Sequence, residues 1–489
     1  MAFKVDRHIL QWNAITFLWA FFNDIASDGT MMPQLIFALI CNSSSNSSIG
    51  TASPWHRPLL THECNSTDKA IVARATDCVK ITLRDYNIVG VLMIALLSSL
   101  SDLYGRKRVL VVMALGTSLD KLAQALSPNV NVLHYAHAAC GTLSSSYLFC
   151  AVIFSAVADT SSPANRSRNY AWTEGFLFLG VASGPFIGGA MAKNIGVQAP
   201  YYLSGGLYFI LAVFIATCVT ETLPKEKRAI LQCFDSAQLT ECCLKEPAEE
   251  EKLLAVNNSE STNVANPKCH RRTISWIILT PIGSAMTLLQ SWTWVVLTVM
   301  LLTHWIPVRS IHFTFSLFAK RDFGWGAFET GIFFSLRMVA LFIGSGPMSH
   351  IIKLRNQDKV AIGAMFGIMT YGAFTFLTRQ WMFYAGSSLF MLFAWMTPCL
   401  RGTASNYTSV SKQGSVLGAA GTLEAISGIC APVMFAPLFK WLLKIDYEQY
   451  VFAFVGVFYV VTGVLAACWY PKKPSLEIDE SKPENTSIQ

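Results

Sequence analysis

Charge is scarce in this chain of 489 residues: 14% are Asp, Glu, Lys or Arg, against 53% hydrophobic, and the mean hydropathy is +0.41. Soluble domains carry about a quarter charged residues, because something must face water. A chain this poor in polar surface cannot cover its own core, which excludes a string of soluble domains and leaves lipid as its main solvent. The thirteen cysteines are too few and too scattered for a disulfide scaffold. No GxxxxGK loop is present, which removes a nucleotide-driven pump, and no catalytic triad or metal motif stands out. An enzyme, a cofactor and a metal site are therefore not expected. The net charge of +7 sits in short clusters between apolar runs rather than in one patch, so no nucleic-acid partner is implied.

What the chain has in plenty is apolar length. A helix crossing the bilayer needs roughly 20 apolar residues. Such runs fall near 12–40, 84–101, 108–127, 132–158, 171–193, 200–220, 292–318, 327–352, 359–378, 380–404, 414–442 and 449–470. The first begins at Leu10, is too long for the core of a signal peptide, and reads as a span. The expected architecture is an all-α membrane protein of twelve transmembrane helices in two six-helix halves, 12–220 and 274–470. Residues 1–11 and 471–489 are read as cytoplasmic ends. The polar segment 221–273 is read as a disordered cytoplasmic linker, and 274–289, broken by Pro281 and Gly283, as an interfacial lead-in.

Lys and Arg mark the cytoplasmic loops: Arg106, Lys107 and Arg108 after the second span, Arg166 and Arg168 after the fourth, Lys353, Arg355 and Lys359 after the eighth. Loop 41–83 is then external and carries acceptor sequons at Asn42, Asn46 and Asn65. Cys41, Cys64 and Cys78 share that loop, so a disulfide among them is expected in an oxidising compartment.

Two local motifs carry mechanism. In LSSLSDLYGRKRVL, Gly105 permits a tight turn between two spans, and Asp102 faces the basic run Arg106–Arg108 at the inner surface. In GVASGPFIGG, Gly180, Gly184, Gly188 and Gly189 clear one stripe of the fifth span for close approach of another helix, and Pro185 bends it. Gly344-Ser345-Gly346-Pro347 repeats the feature in the eighth span, suggesting a seam between the halves.

DLYGRK resembles the signature loop of the major facilitator superfamily, and GVASGPFIGG its fifth-helix antiporter motif. Ser98 stands where the signature usually has Gly, Leu103 where it has a basic residue, and His137 where the fourth helix usually has Arg four residues before Gly141. Within the superfamily, FSAVADTSS with RSRNYAWTEG and the ETLP after the sixth span are similar to the proton-coupled folate transporter family. SKQGSVLGAAGTLEAISG is similar to drug and tetracycline proton antiporters, and FGWGAFETGIFFSL to fungal members. The resemblance places Glu174 where the folate family has a proton-coupling glutamate, without implying folate.

Ionisable residues inside a bilayer are costly and should face a cavity or a partner. Asp24 and Asp28, at i and i+4, share a face of the first span. Asp28, His137, Glu174 and Glu424 are candidates for proton coupling. Asp24, His304, Arg309, His312, Arg337 and Trp395 are candidates for the substrate cavity, and Arg309 with the two histidines could take an anion. Asp102, Gly105, Arg106 and Lys107 form the candidate gate loop. Asp120 and Lys121 are adjacent, point in different directions and read as structural. The function expected is proton-coupled secondary transport of a small organic solute by alternating access, by a monomer in the plasma membrane or a vacuolar or lysosomal membrane. A drug or metabolite antiporter is the alternative within transport, and a non-transporting sensor on the same fold the alternative outside it.

Overall fold

The computed structural model describes residues 7–28, 30–45, 69–161, 163–222, 292–348, 351–352, 354–406 and 413–470. Among them every regular element is helical. In the N-terminal half these are α1 (Arg7–Ile25), α2 (Met31–Ser45), α3 (Lys69–Tyr104), α4 (Arg106–Leu126), α5 (Val130–Ser144), α6 (Ser146–Thr160), α7 (Pro163–Asn194) and α8 (Ala199–Cys218). The C-terminal half has α9 (Trp292–Phe323), α10 (Ala327–Ile343), α11 (Asn356–Phe376), α12 (Gln380–Gly386), α13 (Phe390–Phe393), α14 (Met396–Asn406), α15 (Gln413–Lys444) and α16 (Val451–Cys468). Nine helical stretches among the described residues are long and apolar enough to cross a membrane. Helices also occupy the other three expected spans: α1 with α2, α3, and α10 with the π turn Gly344–Met348.

The halves repeat one packing scheme. α1 lies along α7 as α9 lies along α15, α4 along α8 as α11 along α16, and α3 along α5 as α10 along α13. Between the halves, α7 packs on α10 and α3 on α15. An internal repeat of this kind is how many transporters build a central site at the repeat interface.

Gly105 turns the chain at one end of the bundle, Gly196 and Gly324 at the other. At the Gly196 end a single apolar cluster runs through both halves, joining Met31–Cys41 and Val72–Val79 to Phe313–Ala319 and Phe439–Leu443. Toward the Gly105 end the core divides. Trp12, Val109, Val152 and Ile215 belong to one cluster and Val296, Leu400 and Leu423 to another, with Ala425 reaching across. Polar links reinforce the joined end: Lys69 Nζ lies 2.5 Å from Asp446 Oδ1, Lys440 Nζ 2.5 Å from Asp77 Oδ2, and Lys193 Nζ 3.5 Å from Glu329 Oε1. Lys320 donates to Gln34 Oε1 at 2.9 Å. The molecule is held together at the Gly196 end and parts toward the Gly105 end.

Two expectations need correction. The first span is not continuous: α1 stops at Ile25, and Ser27 opens α2 by accepting the Thr30 N–H at 3.1 Å, an N-cap in the middle of the run. The loop expected over 41–83 is shortened from both sides, since α2 reaches Ser45 and α3 begins at Lys69. Cys78 is a free thiol, so the disulfide formed by Cys41 excludes it. Cys64, Asn46 and Asn65, the segment 223–289 and the tail from 471 lie outside the described residues, and Asn42 falls in the last turns of α2.

Candidate functional site

The halves enclose a central cavity of about 250 Å³. Its N-terminal wall carries Asp24 and Asp28, its C-terminal wall His304, Arg309, His312, Arg337 and Glu424. Because α1 ends at Ile25, Asp28 lies in the break between α1 and α2 rather than one turn beyond Asp24 on a shared helical face. The break still delivers both carboxylates to the cavity.

Behind Asp28 lies a buried polar cluster. Lys121, 1% exposed, donates to the Ala26 carbonyl at 2.9 Å and to Asp28 Oδ1 at 3.3 Å. His137 Nδ1 lies 2.8 Å from Asp120 Oδ1 and 2.9 Å from Gln124 Nε2. That nitrogen can donate to the acid or accept from the amide, but not both at once. Its Nε2 stands 4.0 Å from Asp28 Oδ2, and the ring stacks on Tyr86 at 4.1 Å. With His137 neutral, the carboxylates of Asp24, Asp28 and Asp120 outnumber Lys121 within the cluster, with Arg309 acting on Asp24 and Asp28 from across the cavity, so the cluster has an excess of acid.

A second cluster lies on the Gly105 side and is balanced. Arg401 on α14 reaches Glu174 Oε1 on α7 at 3.2 Å and Glu424 Oε2 on α15 at 2.9 Å. Arg309 Nη2 lies 2.6 Å from Glu424 Oε1, its guanidinium 4.8 Å from the Tyr147 ring. Glu174 and Glu424 are 5% and 7% exposed. Glu174–Arg401 therefore ties the two halves together where their cores have separated.

The motifs fit this frame. Gly105 takes φ of +102°, and the Glu221 carboxylate occupies the space a Cβ would fill. Glu221 accepts the backbone N–H groups of Arg106 at 3.0 Å and Lys107 at 3.2 Å, an anion capping the start of α4. Arg106 donates to Asp159 Oδ2 at 3.2 Å and Ser101 Oγ at 2.6 Å. Asp102 sits in the last turn of α3, its side chain outside the described residues. On α7, a Cβ on Gly180 would meet the Phe17 carbonyl at 2.5 Å, and one on Gly184 the Asp24 carbonyl carbon at 2.5 Å. Gly188 faces the Ile25 carbonyl, while Gly189 faces Ala327 and Phe328. The motif thus seats α7 on α1 and on α10, where Gly331 in turn meets the Pro185 carbonyl. Gly344 itself lies against Met391 and Ala394 within the C-terminal half, while the turn Gly344–Met348 that it opens also packs on α7 across the seam.

Trp395 does not line the cavity. It is 2% exposed and donates its indole N–H to the Gly344 carbonyl at 3.0 Å, pinning α10 to the tenth span. His137 and Glu174 lie behind the cavity surface rather than on it. Arg401 carries no signal in the sequence, since it sits near the inner end of its span and reads as an ordinary boundary cation. Asp120 and Lys121, which read as structural, belong to the site as well. Adjacent helical positions do diverge, but His137 and Asp28 come to meet them from two other elements. Asp159 and Glu221 were missed because each lies at a span end, where an acid attracts no notice.

Two packed helical halves around a charged central cavity are the architecture of a multi-pass membrane transporter. The profile of the Major Facilitator Superfamily matches residues 35–432, with a second match over 299–486. The chain belongs to that superfamily. It is 22% identical over 390 residues to the class B tetracycline resistance protein of Escherichia coli, covering 79% of this chain and 84% of that one. It is 20% identical over 338 residues to human hippocampus abundant transcript-like protein 1, covering 68% of this chain and 58% of that one. The crystal structure of the human organic anion transporter MFSD10 (TETRAN) matches with a TM-score of 0.62 at 16% identity, over 94% of this chain and 99% of that one. At that identity the likeness concerns the fold.

Proposed function

We propose that the protein is a proton-coupled secondary transporter of a small organic solute, working by alternating access with its linker side cytoplasmic. The observation that carries the reading is the unequal charge of the two clusters. The Asp24, Asp28, Asp120, Lys121 and His137 group has an excess of acid beside the cavity, so it can take up a proton and shed part of that excess. The Glu174, Arg401, Glu424 and Arg309 group is balanced and bridges the halves, so a proton on Glu174 would release Arg401 and loosen the bridge. Loading and gating then use different acids. The joined core at the Gly196 end supports a state closed to the outside, with this bridge among the described links that hold the halves on the cytoplasmic side. Similarity to tetracycline resistance proteins favours export in exchange for protons over import.

The test is solute movement in proteoliposomes with and without an imposed pH gradient, over a small panel of organic solutes. A gradient-dependent flux that Asp28→Asn abolishes, while exchange down the solute's own gradient persists, is the expected result. Flux indifferent to the gradient in the wild-type protein sinks proton coupling. No flux of any panel member would favour a sensor on this fold.

A further inference from the structure

Among the described residues, charge pairing around the cavity leaves one cation without an acid. Arg309 is taken by Glu424, Arg401 by Glu174 and Glu424, and Lys121 by Asp28. Arg337 lines the cavity from α10, is 0% exposed, and its Nε, Nη1 and Nη2 make no hydrogen bond among the described residues. A guanidinium holds five N–H donors in a planar fork matched to a carboxylate. Burying one unpaired is among the costlier arrangements a fold can keep.

Two local compensations fall short. The guanidinium carbon lies 4.7 Å from the Phe390 ring centroid and 6.0 Å from that of Phe334. A ring attracts the cation but accepts none of the in-plane N–H groups. The buried Tyr371 hydroxyl lies against the guanidinium, with Tyr459 beyond it, but both are neutral phenols and bring no balancing charge. The acids lining the cavity are elsewhere: Asp24 and Asp28 belong to the opposite half, and Glu424 already holds two arginines. The C-terminal wall that carries Arg337 offers apolar surface in Phe313, Met338, Leu341 and Phe393, neutral polar groups in His304 and Thr397, and His312 stacked on Phe334 at 5.1 Å.

We propose that Arg337 docks the anionic group of the transported solute, a small amphipathic organic anion whose apolar body rests on Phe313, Met338, Leu341 and Phe393. This rests on the transport reading but not on proton coupling. Arg309, the more obvious anion candidate in the sequence, is already neutralised, so the specificity falls to Arg337. A cavity of about 250 Å³ lies below the range of about 300–1,000 Å³ typical of drug-sized ligands, which suits a body of one or two rings.

The full-length protein in detergent, with no membrane gradient, is titrated with benzoate, phenylacetate and 1-naphthylacetate and with their neutral amides. Binding is read by quenching of tryptophan fluorescence, since Trp19 and Trp305 line the cavity, and by melting temperature. At least one carboxylate should bind saturably, about 10- to 100-fold tighter than its amide, as a charge-assisted pair implies. Arg337→Met should erase that discrimination without lowering the melting temperature of the ligand-free protein, because it removes an uncompensated charge. Arg337→Lys should keep part of it. If Arg337→Met does not fold, Met338→Phe, which narrows the apolar wall and leaves the charge alone, should weaken the carboxylate that binds. Equal affinity for acid and amide, no saturable binding of any of the three acids, discrimination that survives Arg337→Met, or undiminished binding in Met338→Phe overturns the assignment. A failure of proton coupling in proteoliposomes would leave these binding results standing, so the two proposals fail separately.

Discussion

Glu174→Gln isolates the bridge between the halves. The amide is nearly isosteric with the acid and removes the charge, as protonation would. In the native protein Arg401 divides its fork between Glu174 at 3.2 Å and Glu424 at 2.9 Å. After the change it keeps Glu424, so no cation is orphaned and the full penalty for breaking a buried pair, about 3–5 kcal/mol, does not apply. What is lost is the difference between a charge-assisted hydrogen bond, about 1.5–3 kcal/mol, and a neutral one of about 1 kcal/mol. The bridge should therefore weaken by about 0.5–2 kcal/mol, or roughly 2- to 30-fold in the equilibrium between closed and open on the cytoplasmic side. Cys150 is a free thiol lining the cavity and can report it. Its labelling by a membrane-impermeant maleimide from the linker side, read by peptide mapping, should accelerate by that factor. An unchanged rate at Cys150 in a Glu174→Gln protein of native melting temperature would show that the Glu174–Arg401 pair does not hold the gate.

Other perturbations address other parts of the molecule. Gly184→Val places atoms where α1 passes, against the Asp24 backbone, and should cost roughly 1–3 kcal/mol of stability by overpacking; an unaltered melting temperature contradicts the close approach. Asp446, between the last two spans, is held below the usual carboxylate range by hydrogen bonds from Lys69 and then Arg321. A lowered folded pKa contributes stability above the unfolded value and loses it as pH falls through the folded one. The advantage of wild type over Asp446→Asn in thermal stability should therefore be present at neutral pH and shrink below about pH 4; a constant difference down to pH 3 refutes the lock. Endoglycosidase should shift the mass of the wild type, and combined Asn42→Gln, Asn46→Gln and Asn65→Gln should abolish that shift. Glycans persisting at Asn165 or Asn485 would reverse the orientation.

Much of the fold was legible because lipid imposes it residue by residue. A span must be long, apolar and internally hydrogen-bonded, so helices occupy all twelve expected stretches, from α1 with α2 to α16. The glycine motif of α7 was legible for a related reason, since glycine removes side chains from a stripe whatever lies opposite. Even the break in the first span had a local sign in Ser27 and Thr30, though capping by Ser27 becomes visible only once the Thr30 N–H is seen to need an acceptor.

Which charge meets which was not legible, because electrostatic partners are chosen across space. Arg401 and Glu174 are 227 positions apart, Arg309 and Glu424 115, and Lys121 and Asp28 93. Composition could mark each as an expensive group needing company, but only the packing of α7, α9, α14 and α15 says that Arg401 has two acids, Arg309 one, and Arg337 none. Trp395 makes the same point from the apolar side: its face on the helix left cavity and packing equally open, and the approach of Gly344 decided for packing. A bilayer reads a sequence one segment at a time, whereas a central site is assembled from segments that meet only after they fold.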